Sequence, residues 1–385
     1  MQFSTCLPAD WRSGRFLGRL DFGAGPTPVS IVEGELRSLY SLAPTVSGIL
    51  ERFAENGAIG PGETLVSAET VTVRTGNVDT AVPATMPRLL SPLDLHCIKA
   101  AGVTFAASTL ERIIEERAKG EPQAAMRVRK ALSDPLGGGL RQIVPGSTQA
   151  AQLKQDLLRD GLWSQYLEVA IGPDAEIFTK GPPLSSVGTG DRIGIRSDSI
   201  WNNPEPEVVI ICDSRGQPRG ATLGNDVNLR DFEGRSALLL GKAKDNNASC
   251  AVGPFIRLFG EDFSMDDVRA AQLDLDILGP DGFHLRASSD MRRISRDPLA
   301  LIAQAFGSFH AYPDGFALFL GTMFAPTEDR DTPGEGFTHK PGDIVTISSQ
   351  RLGRLQNTVA HCEHTDPWMF GINALIANIL QRQPN

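Results

Sequence analysis

The sequence predicts an α+β protein built on a large mixed sheet, and two observations carry that prediction. Beyond residue 167, short strand-like runs recur between Gly, Pro and Asp turns. Few stretches between them space apolar residues helically, which sets aside a doubly wound sheet with a helix after every strand.

Residues 1–92 read as a small strand-rich domain, followed by a larger unit over 93–385. In the first, 16–22 and 28–32 suit paired strands, and 69–74 alternates polar and apolar like a half-buried strand. Residues 45–56 suit a helix, with Val46, Ile49, Leu50 and Phe53 at helical spacing. A connection containing Pro83, Pro87 and Pro92 closes the segment. In the second unit, 95–105 is apolar and compact, and Ser108 or Thr109 reads as the N-cap of a helix. The charged run 111–119 has the look of a solvated helix face. Gly137 to Gly139 mark a loop lacking the Lys-Ser/Thr of a phosphate-binding P-loop. Residues 147–160 read as another helix. Strands are expected at 168–171, 176–180, 192–196, 208–211, 273–277, 316–320, 344–348 and 353–359, and helices at 297–306 and 371–380.

Composition narrows the function. The 385 residues carry a net charge of −9, which argues against nucleic-acid binding because phosphate contact needs a basic face. The longest apolar runs are too short to span a bilayer. The first residues show no basic start followed by an apolar segment, so a cytoplasmic location is expected. Five cysteines, scattered and never in CxxC spacing, read as reduced structural thiols.

One stretch carries candidate chemistry. Glu205 and Glu207 lead into an apolar, β-branched run, and in a strand such i, i+2 side chains share a face with Cα atoms roughly 6.6 Å apart. Pro204 and Pro206 lack N–H donors and suit a strand start or edge. Asp226 falls in a Gly-Asn-Asp sequence that reads as a turn. Three carboxylates in one pocket repel unless a cation sits among them, and all-oxygen ligation favours Mg²⁺, then Mn²⁺ or Ca²⁺. The competing reading is a solvated strand edge.

Asn203 to Glu207, Leu223 to Phe232 and KAKDNNASCAVGP (242–254) together resemble the fumarylacetoacetate hydrolase superfamily, in particular its sugar-acid dehydratase branch. AAGVTFAASTLER (100–112), DGLWSQYLEVAIGPDAEIFTKGPPLSS (160–186) and FLGTMFAPTEDRDTPGEGFTHK (319–340) extend the similarity over nearly the whole chain. The resemblance implies a mixed β-sandwich roll with a helical cover near 105–163. It also implies Mg²⁺-dependent dehydration of 2-keto-3-deoxy-D-xylonate to 2-oxoglutarate semialdehyde, and a homodimer or homotetramer. By the same resemblance, Lys244 and Glu176 handle protons, with Lys242 two residues from Lys244 on the same strand face. Thr322 grips the keto-acid carboxylate, and Lys180 with Ser185 and Ser186 face the substrate. On such a centre the C2 carbonyl would be polarised, acidifying C3–H ahead of loss of the C4 hydroxyl.

An alternative is a C–C hydrolase of an acylpyruvate-type diketo acid. Hydrolytic relatives carry a water-activating His and Glu in the stretch corresponding to 101–116, and here it contains no histidine. A metal-stabilised binding protein without turnover is the third class. His361, Cys362, Glu363 and His364 lack HExxH spacing and read as surface or interface residues; 327–336 reads as a solvated acidic loop, with a lid or subunit contact as its other reading.

Overall fold

Val208 to Cys212 are apolar at every position, which suits a strand covered on both sides. In the computed structural model, which describes residues 1–57, 59–74, 86–128, 143–322, 326, 328–333 and 336–382, that strand lies inside the largest sheet.

The strands in order are β1 (Phe16–Asp21), β2 (Pro26–Val32), β3 (Glu35–Ser38), β4 (Glu63–Ser67), β5 (Arg88–Leu90) and β6 (Cys97–Gly102). Then come β7 (Glu176–Gly181), β8 (Arg192–Ile195), β9 (Asn202–Asn203), β10 (Pro206–Cys212), β11 (Pro218–Asp226) and β12 (Asn228–Leu229). The last are β13 (Cys250–Leu258), β14 (Gln272–Leu278), β15 (His284–Asp290), β16 (Phe316–Phe319), β17 (Ile344–Ser349) and β18 (Gly353–His361). Among the described residues, eleven strands form one mixed sheet in the order β4-β3-β2-β1-β13-β11-β10-β16-β6-β7, with β5 alongside β1. Five more form a second sheet, β15-β14-β17-β18-β8, and β9 pairs β12. The segment 1–92 thus contributes β1 to β5 to the same sheet, β1 pairing with β13.

The faces of β10 set the layers. Val208, Ile210 and Cys212 pack into the core shared with the second sheet. Val209 and Ile211 face the opposite way, into a cluster with Val46, Ile49 and Leu50 of the helix Val46–Asn56. Each such buried side chain contributes roughly 1.5–3 kcal/mol. Thr45 caps that helix by accepting from Gly48 N. A third cluster joins the helices Ala106–Arg117, Thr148–Arg159 and Gln165–Ile171 over one end of the sheet.

Several local expectations change. Residues 168–171 are helical, because Ser164 caps a turn whose Tyr166, Leu167, Ala170 and Ile171 bury one helical face. The stretch 69–74 forms isolated bridges, Thr72 with Gln2 and Arg74 with Arg88, since it closes over the N-terminal segment; the ladder strand is β4. The helix expected from Ser108 starts at Ala106, and the Ser108 and Thr109 hydroxyls donate back to Phe105 O at 2.8 and 2.9 Å. Asp226 is the last residue of β11, where a turn was expected. Gly224 misleads there: its partners Phe319 and Val209 come so close that a Cβ would sit 2.3 and 2.6 Å from them. Pro206 does start its strand, but β10 is interior. The run 111–119 is only partly a solvated face, since Arg112 and Glu115 are buried. The Gly137 to Gly139 loop and Pro83 lie outside the described residues, as do 327 and 334–335 of the acidic run.

Candidate metal centre

Glu205 precedes β10 and Glu207 is its second residue, on the face that carries Val209 and Ile211. Antiparallel register sets Glu207 against Gly224 on β11. Two contacts pin the strand ends together: Asp226 N donates to Glu205 O, and Glu205 N to Asn225 Oδ1, each at 3.0 Å. The fold thereby brings one oxygen each of Glu205, Glu207 and Asp226 within 4.8 Å of one another. All three residues are buried, at 2%, 1% and 1% exposure. A buried set of carboxylates without sulfur or imidazole fits a hard divalent ion.

The trio floors a narrow cleft lined also by Ser108, Arg112, Glu176, Glu233, Lys244 and Thr322. Among the described residues, no histidine lines it. Glu176 opens β7 opposite Gly102 on β6. A Cβ on Gly102 would come within 2.0 Å of Glu176 Oε2, so glycine makes room for that carboxyl. Thr322 is buried at the cleft wall.

Lys244 ends the short helix Leu240–Lys244, not a strand, and so diverges from Lys242. Lys244 Nζ lies 2.5 Å from Glu205 Oε2 and 3.0 Å from Asp226 Oδ2. Lys242 Nζ instead lies 4.8 Å above the Phe232 ring. Lys180 does not line the cleft: fully buried, it pairs with Asp226 Oδ1 at 2.7 Å and donates to Val227 O at 3.2 Å. Its place is under Asp226. Ser185 also lies outside the lining, its hydroxyl donating to Pro182 O at 2.7 Å.

Charge explains the arrangement. Burial, then the neighbouring Asp226 and Glu205, push Glu207 well above the ordinary glutamate value, although Gly321 N donates to its Oε2 at 2.7 Å. Burial also works to raise Asp226, but Lys180 and Lys244 outweigh it and hold Asp226 low. Burial works to lower Lys244, yet Asp226, Glu205 and Glu233 keep its ammonium charged far above neutrality. Glu176 is raised, chiefly by burial, with Arg112 and Lys244 opposing.

A buried ion network beside the trio was not anticipated. Arg112 contacts Glu205 through Nη2, Glu115 at 2.6 Å and Glu233 at 3.2 Å. Arg230 Nε binds Glu115 at 2.6 Å, and its guanidinium lies 4.6 Å above the Trp201 ring. Burial pushes Glu233 up to about 7 against the pull of Arg112 and Lys244. One signal was available: Ser108, Arg112 and Glu115 fall at i, i+4 and i+7, a polar stripe at core spacing.

No protein-family model matches the chain. The probable 2-keto-3-deoxyxylonate dehydratase of Haloferax volcanii is 30% identical over 194 residues, 50% of this chain and 63% of that protein. The 2-dehydro-3-deoxy-D-arabinonate dehydratase of Saccharolobus solfataricus is 32% identical over 183 residues, 47% of this chain and 57% of that protein. The matches therefore span less than two thirds of either relative. A 2-keto-3-deoxy-D-arabinonate dehydratase structure complexed with magnesium and 2,5-dioxopentanoate aligns with TM-score 0.62 and 22% identity, covering 90% of this chain and 99% of that one. The fumarylacetoacetate hydrolase of Exiguobacterium antarcticum aligns with TM-score 0.55 and 16% identity over 90% of this chain and 99% of that one. The chain thus shares its fold with these dehydratase and fumarylacetoacetate hydrolase structures, as the resemblance implied.

Proposed function

We propose that the chain is a divalent-metal-dependent hydro-lyase that dehydrates 2-keto-3-deoxy-D-xylonate to 2-oxoglutarate semialdehyde. The observation that carries this reading is the buried trio Glu205, Glu207 and Asp226 in a cleft shared with Glu176 and Lys244. An Mg²⁺ ion held by the trio, with Mn²⁺ or Ca²⁺ as substitutes, would supply Lewis-acid stabilisation of negative charge on the substrate's C2 oxygen. Glu176, raised above the ordinary range, takes the C3 proton on its carboxylate. The C4–O bond breaks, and Lys244 Nζ protonates the departing hydroxyl, which leaves as water. Tautomerisation of the remaining enone then yields the semialdehyde, so the net change is loss of one water. Thr322 holds the substrate carboxylate, and Lys180 acts through Asp226. A homodimer or homotetramer, a cytoplasmic location and a place in pentose catabolism belong to the same reading. Among the described residues, no helix is long and apolar enough to cross a membrane.

Elimination is favoured over hydrolysis because the helix Ala106–Arg117 presents Arg112, not a histidine, to the cleft. Purified protein with Mg²⁺ is expected to form 2-oxoglutarate semialdehyde from 2-keto-3-deoxy-D-xylonate, to lose this activity in EDTA, and to regain it with Mg²⁺ or Mn²⁺. Parallel incubations with acylpyruvate and oxaloacetate complete the test; pyruvate from acylpyruvate, with no semialdehyde from the sugar acid, would overturn the proposal. Glu176→Gln is expected to lower kcat by about 10²–10⁴ and to erase the acid limb of the pH profile. Its Mg²⁺ affinity stays close to wild type, since Glu176 is outside the trio; a weakened affinity would instead make Glu176 a ligand.

A further inference from the structure

We propose that Arg112 is the resident counter-cation of the carboxylate trio, holding Glu205 in the metal-free protein and yielding it to a divalent ion by closing onto Glu233. The inference rests on the metal-centre reading and adds how that centre is regulated.

Arg112 is buried and lines the cleft, with three carboxylates around its guanidinium. One side is anchored. Nη1 binds Glu115, whose other oxygen accepts from Arg230, and Arg230 is itself fixed by Glu111 at 2.9 Å and Pro326 O at 3.1 Å. The other side, Nη2, meets Glu205. An alternative acceptor stands ready: Glu233 Oε2 is buried and, among the described residues, accepts no hydrogen bond, although it lies 3.2 Å from Nη1. A buried guanidinium that lost Glu205 would therefore remain paired, which keeps the exchange inexpensive. An incoming ion competes with Arg112 and Lys244 for the same carboxylate, and a unit positive charge beside Glu205 weakens cation binding by direct repulsion.

The sign of the effect separates this role from a structural one. Calorimetric titration of metal-free protein with Mn²⁺ alone, without substrate, is expected to show Arg112→Met binding at least about tenfold more tightly than wild type. Arg112→Lys, which keeps the charge, should stay within about threefold. Equal or weaker Mn²⁺ binding by a folded Arg112→Met protein would overturn the proposal, because a purely structural arginine would loosen the site on removal. Glu233→Gln supplies a second readout and serves if Arg112→Met does not fold. It removes the alternative carboxylate, so Mn²⁺ binding should weaken about fivefold, and an unchanged Kd would count against the exchange. Should the protein bind Mn²⁺ with this pattern yet fail to dehydrate the keto acid, only the catalytic reading falls. A wild type that binds no Mn²⁺ sinks both.

Discussion

Glu207→Gln is expected to abolish turnover while making the metal-free protein more stable above neutral pH. Removing one of the three carboxylates proposed to hold the ion should lower Mg²⁺ affinity by at least about 100-fold, beyond the losses seen when groups merely supporting a ligand are removed. With the centre empty at working ion concentrations, activity falls by about 10³ or more, equivalent to several kcal/mol of lost stabilisation. Stability moves the other way. Burial and the charges of Asp226 and Glu205 raise Glu207, so the folded protein holds that proton more tightly than the unfolded chain does. The corresponding stability is fully present below the ordinary glutamate value and is lost as pH rises through the raised one. Glutamine is isosteric and never ionises, so the variant avoids that loss. Thermal melts at pH 8 without metal should show a higher Tm for the variant, the gap closing as pH is lowered. Mg²⁺ at 100 times the wild-type Kd then stabilises wild type by about 2.7 kcal/mol and the variant by no more than about 0.4 kcal/mol. An active variant with wild-type Mg²⁺ affinity would remove Glu207 from the ligand set.

Lys244→Met should show the opposite pattern. Its ammonium sits 2.5 Å from Glu205 and 3.0 Å from Asp226, all three groups buried. Deleting one partner of a buried ionic cluster leaves uncompensated charge and costs about 3–5 kcal/mol. Urea unfolding of metal-free protein should register that loss, and added Mg²⁺ should recover part of it by neutralising the same oxygens. Turnover should remain down by about 10²–10⁴ even at saturating Mg²⁺, because the group proposed to protonate the leaving hydroxyl is gone. Lys242→Met is the control: its Nζ lies over the Phe232 ring, away from the trio, and activity should hold within about twofold. If the two variants behaved alike, the assignment of Lys244 would fail.

Much of the molecule was legible in the chain because the signals were local. The run Val208 to Cys212 announced a strand, and the i, i+2 spacing of Glu205 and Glu207 put two carboxylates on one side of it; that the strand is interior and covered on both faces came from the sheet order. Thr45, Ser147 and Asp297 cap helices that were expected at 45–56, 147–160 and 297–306. What misled was also local. Gly224 disguised the end of β11 as a turn, and Gly253-Pro254 hid β13, since glycine and proline weaken strands in general; Gly224 is kept for the close approach of Phe319 and Val209.

Residue type at fixed spacing was enough for the α+β class and for the all-oxygen donor set of the acid trio. Which charges stand beside that trio emerges only from the packed fold. Arg112 and Glu115 read as solvated positions on a charged helix until packing of Ala106–Arg117 against the sheet buried them among Glu205, Glu233 and Arg230. The physical reason is desolvation. A charge's partners and its proton affinity depend on what excludes water around it, and that is set by contacts between residues more than a hundred positions apart, such as Arg230 with Glu115.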